Sequence, residues 1–263
     1  EVSVEAAETM LTKSSAPASS LPFNDPRLNV QWNLINTGDK TISETALEGA
    51  DVGVKDAWKL TAGDPKVIVA VFDQGIAINH PDLKDALWCN TAEINGTDGK
   101  DDDGNGYVDD IYGYNFVDGT AEINFDGTDY DTGHGTHCAG VISAVNNNGI
   151  GVSGVAGGSG KNDGTKIMTC QIFSGNGGGL QTMISKAIKY AADNGASIIS
   201  CSFGQPGSGF LGDANYTQRN AMEVDAIRYF EATKNNDIVD GGIVIFATGN
   251  EARTQTHPNT LIV

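Results

Sequence analysis

The chain has 263 residues, of which 34 are acidic and 16 basic, so its formal net charge at pH 7 is −18. This balance disfavours nucleic acid and anionic membrane surfaces as partners. No apolar stretch approaches the ~20 residues that a membrane-spanning helix needs. The cysteines show no C-x-x-C spacing and lie mostly in apolar runs, which predicts buried free thiols at Cys89, Cys138, Cys170 and Cys201.

The first part of the chain has the composition of a linker. Residues 1–25 are rich in Ala and Ser, contain two prolines and show no sustained hydrophobic period. We expect a linker or the remnant of a removed pro-segment there, with packing beginning near Leu28 or Trp32. Residues 26–263 are expected to form one large folded domain.

From residue 66 onward, apolar runs alternate with helical patterns. Four β-branched runs have the character of buried parallel strands, at residues 66–73, 166–173, 196–203 and 242–248. Apolar residues at Leu180, Ile184, Ala187, Ile188 and Ala191 define one face of a helix that Gly195 ends. A second helix is expected from Asn215 towards Asn235. The alternation predicts an α/β fold, a doubly wound and mostly parallel sheet with helices on both faces.

Three polar residues stand at the edges of these elements. Asp73 ends the first strand, His134 opens a helix, and Asn250 follows the last strand. Each has an ordinary structural explanation as a cap or a turn former. Ligands and reactions of open α/β sheets nevertheless gather at the carboxyl ends of the strands, where these three would meet.

The motifs around these residues resemble the subtilase family of serine peptidases. The segments that carry the resemblance are Asp73-Gln74-Gly75, Gly133-His134-Gly135-Thr136-His137-Cys138-Ala139-Gly140 and Ala247-Thr248-Gly249-Asn250. Supporting matches are His80-Pro81-Asp82-Leu83, the run Asn147–Val152 and the run Gln31–Gly38. The resemblance implies a subtilisin-like fold and a secreted or cell-envelope serine endopeptidase with an Asp-His-Ser triad.

The resemblance assigns a role to each of the three polar residues. His134 would act as general base and then general acid, since its ordinary pKa lies near neutrality. A helix N-terminus disfavours the imidazolium, so a buried carboxylate is needed to orient and stabilise the ring, and Asp73 is the candidate. Asn250 would donate its side-chain amide to the oxyanion. His137 is expected to pack or hydrogen-bond rather than to take part in the reaction.

Two further segments resemble the backbone edges that flank an extended peptide in the family. They are Gly177-Gly178-Gly179 and Ser202-Phe203-Gly204. A bare glycine backbone can approach a substrate and pair with it as an added strand, although the glycine run could also be a plain flexible turn. We expect extended peptide or protein substrates, broad specificity and an apolar pocket.

Two acidic regions suggest structural Ca²⁺. Residues 101–110 carry oxygen side chains at alternate positions and a glycine at the sixth, with Asp101, Asp103, Asn105 and Asp110 as candidate ligands. Tyr112 stands where an EF-hand has Glu, and a solvated acidic turn is the alternative. The resemblance implies a second site formed by Asp82, Asn146, Asn148, Ile150 and Val152.

The sequence also departs from the family pattern. Gln74 replaces the usual Ser or Thr, and no G-T-S-x-A motif containing the nucleophilic Ser occurs. We therefore expect the domain to be incomplete at its C-terminal end and inactive alone, with a C-terminal segment or second chain supplying the Ser. Two alternatives remain open: a catalytically inactive peptide-binding protein, and a zinc hydrolase that uses His134, His137 and Cys138. The zinc alternative is the weakest because it lacks the Glu of H-E-x-x-H.

Overall fold

The strands form one main sheet and a short hairpin. A computed structural model describes residues 21–125, 133–174, 177–204, 213–233, 238, 241–247 and 261–262. The strands are β1 (Ile68–Asp73), β2 (Gly113–Asn115), β3 (Lys166–Gln171), β4 (Phe173–Ser174), β5 (Gly177–Gly178), β6 (Ile198–Cys201), β7 (Ile243–Phe246) and β8 (Leu261–Ile262). Among the described residues, the main sheet has the order β2-β3-β1-β6-β7-β8, and all its neighbouring strands are parallel. The strands β4 and β5 form a separate antiparallel hairpin.

The helices connect these strands. They are α1 (Val54–Ala57), α2 (Thr91–Ile94), α3 (His134–Ser143), α4 (Gln181–Asp193), α5 (Asp213–Arg219) and α6 (Ala221–Ala232), with 3₁₀ turns at Leu28–Val30 and Lys84–Ala86. No helix within the described ranges is both long enough and apolar enough to cross a membrane.

The sheet is covered on both faces, as the residues of β1 show. Ala70 and Phe72 belong to a core cluster shared with α4 and α6, whereas Val69 and Val71 pack on the other face with Ala139 of α3. Successive strand residues point to opposite faces, so a strand buried on both sides must be apolar throughout. The doubly wound fold predicted from the sequence is confirmed.

The strand order reverses at β1. The chain runs from β1 to β2 and β3 on one side of it, and then crosses to β6 on the other side. A crevice opens at such a switch point, outside the carboxyl ends of the two strands that diverge. Asp73 is the last residue of β1, so the topology places it at this crevice.

The second predicted helix is divided into two. Helix α5 ends at Arg219 and α6 begins at Ala221, because Asn220 between them has a non-helical backbone. The Nδ2 of Asn220 donates to the Tyr216 carbonyl at 3.3 Å. Such local side-chain bonds to the backbone compete with helix continuation.

Packing begins earlier than the composition of the first 25 residues indicates. The ring of Phe23 stands edge-on to Trp58 with centroids 4.8 Å apart, and Asp25 is buried. Leu21 and Phe23 both pack against a small cluster around Leu28. The segment 21–25 therefore belongs to the folded unit, because its side chains contact residues far away in the sequence.

A buried carboxyl in α6 gives a prediction for stability. Glu223 is 5% exposed and accepts a hydrogen bond from the Tyr216 hydroxyl at 3.1 Å. Burial raises its pKa, so the folded chain holds this proton more tightly than the unfolded chain does. The resulting stability is complete below the ordinary pKa of Glu and is lost as the pH rises through the raised pKa.

Replacing Glu223 by Gln is therefore expected to raise the melting temperature at pH 8 by roughly 2–4 °C. Glutamine retains an acceptor for Tyr216 without a buried charge. Thermal unfolding from pH 4 to pH 8 should show the gain growing with pH, whereas Glu44→Gln, at an exposed position, should change little. A gain that is equal at pH 4 and pH 8 would contradict this explanation.

Candidate active site

Asp73 is fixed at the carboxyl end of β1. Its side chain is buried, and its Oδ1 accepts a hydrogen bond from the backbone N–H of Gln74 at 2.8 Å. Its own carbonyl accepts from Ile172 N at 2.9 Å, which continues the pairing of β1 with β3 beyond the strand end. The carboxylate is therefore held in one orientation by neighbouring backbone.

His134 is placed by the start of α3. Gly133 precedes it with φ 70°, a left-handed conformation that suits glycine, and the Gly133 carbonyl accepts from His137 N at 2.9 Å. Gly135 lets the helix approach β1 closely, since a Cβ there would lie 2.4 Å from the Gln74 carbonyl oxygen. A second link joins the Ala77 backbone N–H to the Thr136 hydroxyl at 2.9 Å.

The two side chains meet as the sequence predicts. The Nδ1 of His134 lies 2.8 Å from Oδ1 and 2.9 Å from Oδ2 of Asp73. The Asp73 side chain is 4% exposed and that of His134 is 49% exposed. Because Nδ1 faces the carboxylate and half of the ring is accessible, Nε2 is available to a reactant. The arrangement holds one histidine tautomer, with the Nδ1 proton directed at the carboxylate.

Cys138 lies one helical turn beyond His134. Its Sγ is 3.8 Å from His134 Nδ1, and burial raises the pKa of the thiol. Within the described part of the chain, this thiol, Asp73 and His134 offer ligand atoms within 4.8 Å of one another. His137 is exposed and does not belong to that group, so the ligand set of the proposed zinc hydrolase is not brought together.

Gln171 is a residue of this region that sequence reasoning missed. It pairs with Asp73 in the sheet register and is almost fully buried. Its Oε1 accepts from Asn124 N at 2.9 Å, which holds the segment before residue 126 over Gly75. No local sequence pattern marks this position, because its partner is 47 residues away along the chain.

The two expected peptide-binding segments lie at strand ends. Gly177 and Gly178 form β5, and a Cβ on Gly178 would lie 2.3 Å from the Ile172 carbonyl oxygen. The hairpin itself therefore requires glycine at 178, in addition to any role with substrate. Ser202, Phe203 and Gly204 follow β6, and no atom of the described residues lies within 4 Å of a Cβ placed on Gly204.

Aromatic contact joins the β4–β5 hairpin to the second segment. The rings of Phe173 and Phe203 pack edge to face with centroids 5.2 Å apart, and Phe203 also contacts Phe246 at 6.0 Å. Asn250, the expected oxyanion donor, lies outside the described residues.

Comparison of the sequence with protein-family models identifies the family of this chain. The model of the subtilase family matches residues 64–261, well over half of the chain. This chain belongs to the subtilase family. Among curated proteins it is 36% identical over 193 residues to subtilisin-like protease 1 of Plasmodium berghei, a match that covers 73% of this chain and 28% of that protein. It is 30% identical over 198 residues to thermitase of Thermoactinomyces vulgaris, covering 75% of this chain and 52% of that protein.

The fold has relatives among solved structures. The serine protease of Aeromonas sobria, solved in complex with a chaperone, matches with a TM-score of 0.63 and 26% identity. That alignment covers 90% of this chain and 34% of the other. The subtilase chain thus spans between about a quarter and a half of the length of these relatives.

In this subtilase, the calcium site expected around Asp82 is built on a buried carboxyl, since Asp82 is 1% exposed. Its Oδ1 accepts from Asn148 Nδ2 at 2.8 Å and its Oδ2 from Val152 N at 2.9 Å. The residues Asn146 and Ile150 belong to the same loop, residues 146–152. Burial raises the pKa of Asp82, and the charge of Asp25 raises it further.

Asp25 is a second residue that the sequence did not reveal. Its carboxylate accepts from the backbone N–H groups of Asn147 at 2.9 Å and Asn148 at 3.1 Å, and from the Ser153 hydroxyl at 2.6 Å. Over the described ranges, neither Asp25 nor Asp82 forms an ion pair with Lys or Arg. Two buried carboxylates that hydrogen-bond to one loop without a cationic side chain among the described residues suit a bound cation.

At the acidic region 101–110, three carboxylates converge. Asp101 and Asp103 meet Glu93 of α2, with ligand oxygens within 4.8 Å of one another in the described part of the chain. The sequence pattern does not include Glu93, because this residue lies outside the run 101–110. Asn105 directs its amide to Asp103 and Asp110, at 3.1 Å in each case.

Asp110 points towards the protein core. Its Oδ2 accepts from the Tyr190 hydroxyl of α4 at 2.6 Å and its Oδ1 from Asn90 Nδ2 at 2.9 Å. Burial raises its pKa, although these hydrogen bonds oppose the rise. The carboxylate fastens the acidic loop to the helix beneath it, while Glu93, Asp101 and Asp103 are the group able to face a cation.

Proposed function

We propose that this chain carries the general base and the orienting carboxylate of a serine endopeptidase whose nucleophilic Ser lies outside this sequence. The observation that carries the proposal is the contact of His134 Nδ1 with both oxygens of buried Asp73. A structural ion pair would not need a half-exposed imidazole whose second nitrogen is left accessible. Membership of the subtilase family supports the same chemistry.

The reaction follows from the geometry of this pair. The Nε2 of His134 accepts the Ser proton as the hydroxyl oxygen attacks the peptide carbonyl carbon. The imidazolium that forms is disfavoured by the N-terminus of α3 and stabilised by the carboxylate of Asp73. The imidazolium then donates this proton to the leaving amine. In the second half of the reaction, water takes the place of the Ser hydroxyl and attacks the acyl-enzyme, with His134 again acting as the base. Asn250 would donate a hydrogen bond to the oxyanion in both steps.

We place the substrate as an extended strand between the two segments 177–179 and 202–204. The backbone at Gly204 and the end of the β4–β5 hairpin would offer hydrogen-bonding groups on either side of the substrate, since they follow β6 and β3, the two strands that flank β1. Phe173 and Phe203 would supply apolar contact to substrate side chains between them. Recognition through backbone reads shape more than sequence, so we expect broad specificity for unfolded or extended protein segments.

The proposal includes structural Ca²⁺ at two positions. Asp82, the Asn148 side chain and the carbonyls of Asn146, Ile150 and Val152 would hold one ion, once the Asn148 amide turns its oxygen towards the ion. Asp101, Asp103 and Glu93, with Asn105 and Asp110 supporting them, would hold another. The ions would neutralise buried carboxylates and stabilise the loops. Sites of this type suit the calcium concentrations outside cells, which fits a secreted or cell-envelope protein.

Calcium is expected to raise the melting temperature of the full-length protein. A ligand that binds only the folded state at 100 times its Kd adds about 2.7 kcal/mol to the free energy of unfolding. Asp82→Asn should remove much of this gain, whereas Asp85→Asn, an exposed change in the same segment, should retain it. Differential scanning calorimetry with calcium and with chelator tests this. Identical melting curves in both conditions would count against both sites.

The activity itself is tested by incubating the full-length protein with a mixture of unstructured peptides. Mass spectrometry should identify internal cleavage products, and their flanking residues give the subsite preferences. An His134→Ala variant should produce none above background. Binding of the peptides without cleavage, by the full-length protein containing the Ser, would replace the peptidase with the inactive peptide-binding alternative.

A further inference from the structure

Cys138 adds a group to the Asp73–His134 pair that proton transfer does not use. Its thiol approaches the same Nδ1 that contacts Asp73, at 3.8 Å. A carboxylate, an imidazole and a thiol thus converge, with their ligand atoms within 4.8 Å of one another. Such a set combines the oxygen, nitrogen and sulfur ligands that Zn²⁺ accepts in proteins.

The distances are close to those of a tetrahedral zinc site. Zinc–ligand bonds of about 2.0–2.3 Å at tetrahedral angles place neighbouring ligand atoms about 3.4–3.6 Å apart. The Nδ1–Oδ distances are 2.8 and 2.9 Å, and the Nδ1–Sγ distance is 3.8 Å. An opening of the Nδ1–Oδ contact by roughly half an ångström, with Sγ drawn in from within 4.8 Å of the Asp73 oxygen, would admit the ion, with water as its fourth ligand.

We propose that Asp73, His134 and Cys138 form an inhibitory site for Zn²⁺. Coordination releases the thiol proton to solvent, and the single proton of the neutral imidazole moves from Nδ1 to Nε2, so the ring stays neutral and Nε2 has no lone pair left to accept the Ser proton. Nδ1 cannot donate to Asp73 and bind a cation at the same time. The imidazole then loses the carboxylate that stabilises its charged form, so it no longer serves as a base.

The site is reachable and differs from that of a zinc hydrolase. Half of the His134 side chain is exposed, which gives an ion a path from the crevice. The nearby carboxylate, Asp73, is itself a ligand and cannot also serve as the general base for a zinc-bound water. His137 faces solvent and takes no part. Inhibition rests on the proposed peptidase function, whereas binding of the ion does not.

The test measures binding first and inhibition second. Calcium-loaded full-length protein is titrated with Zn²⁺ by calorimetry, and with Co²⁺, whose thiolate charge-transfer absorption reports a Cys ligand. One ion should bind, and its Co²⁺ form should show the thiolate absorption. Loss of a residue that only supports a metal ligand lowers metal affinity by about 10–100-fold, so Cys138→Ala, which removes a ligand itself, should weaken the affinity by more than about 100-fold. Cys89→Ala, which removes a partly buried thiol elsewhere, should leave affinity and signal intact.

Peptide hydrolysis supplies the second measurement. The rate of peptide hydrolysis of each variant is compared with the rate of the same variant in the presence of chelator. The Zn²⁺ concentration that halves the rate should be more than about tenfold higher for Cys138→Ala than for the wild-type protein. Unchanged affinity in Cys138→Ala, or a thiolate signal that disappears in Cys89→Ala, would overturn the proposal. If the protein binds Zn²⁺ at Cys138 but cleaves no peptide, the metal site stands and the peptidase proposal fails.

Discussion

Replacing Asp73 by Asn is expected to lower the kcat of peptide hydrolysis by about 10⁴-fold, the loss typical of triad carboxylates in serine peptidases. The carboxylate receives the Nδ1 proton of His134 through either oxygen. An amide in its place favours the other tautomer and cannot stabilise the imidazolium. Initial-rate kinetics on the full-length protein give kcat and KM separately, and KM should change little because Asp73 lies away from the peptide edges.

Asp64→Asn is the matched control, since it makes the same change at an exposed position just before β1. Its kcat should remain within about twofold of wild type. Melting curves of both variants establish that they are folded. A tenfold or smaller loss in Asp73→Asn would mean that His134 does not depend on this carboxylate.

Gly135→Ala is expected to damage both stability and activity. The added Cβ would lie 2.4 Å from the Gln74 carbonyl oxygen and 2.9 Å from that of Gly75. Helix α3 must therefore move away from the end of β1, taking His134 from Asp73. Overpacking of this kind costs about 1–3 kcal/mol, and a displacement of ~1 Å at a reacting group costs about 100-fold in rate.

Gly140→Ala separates this clash from ordinary helix effects. It lies in the same helix, but a Cβ at this position would meet no described residue within 4 Å beyond the neighbouring backbone of α3 itself. Alanine there should leave kcat/KM unchanged and raise stability slightly, because it is the better helix former. The free energy of unfolding from chemical denaturation and the kcat/KM of both variants show whether the effect of Gly135→Ala comes from the clash with β1. Equal effects at 135 and 140 would contradict the close approach of α3 to β1.

The sequence predicts the sheet and the ends of its strands well. The β-branched runs indicate buried parallel strands, and the observed bounds fall within the expected ranges for β1, β3, β6 and β7. The positions of Asp73 and His134 at element edges follow from that pattern, and so does their contact. Local periodicity decides such features because each strand or helix must bury its own apolar residues.

The sequence could not reveal groups that act through distant contacts. Asp25 joins a loop more than 120 residues away, and Glu93 faces Asp101 and Asp103 from a separate helix. Neither position has a local pattern, because the burial of a carboxylate depends on how the elements pack. The apolar run around Cys138 predicts only a buried thiol. Its spacing of four residues from His134 puts both side chains on one face of α3, and the packing of α3 against β1 brings that face to Asp73.

Labelling of the full-length protein with a serine-directed fluorophosphonate probe tests the central claim most directly. The probe reacts only with a Ser activated by a neighbouring base. We expect one labelled Ser in the wild-type protein, strong loss of labelling in His134→Ala and Asp73→Asn, and full labelling in Asp64→Asn. Absence of labelling in the folded wild-type protein, or labelling that persists in His134→Ala, would contradict the assignment of His134 and Asp73 as the base and orienting acid of a serine peptidase.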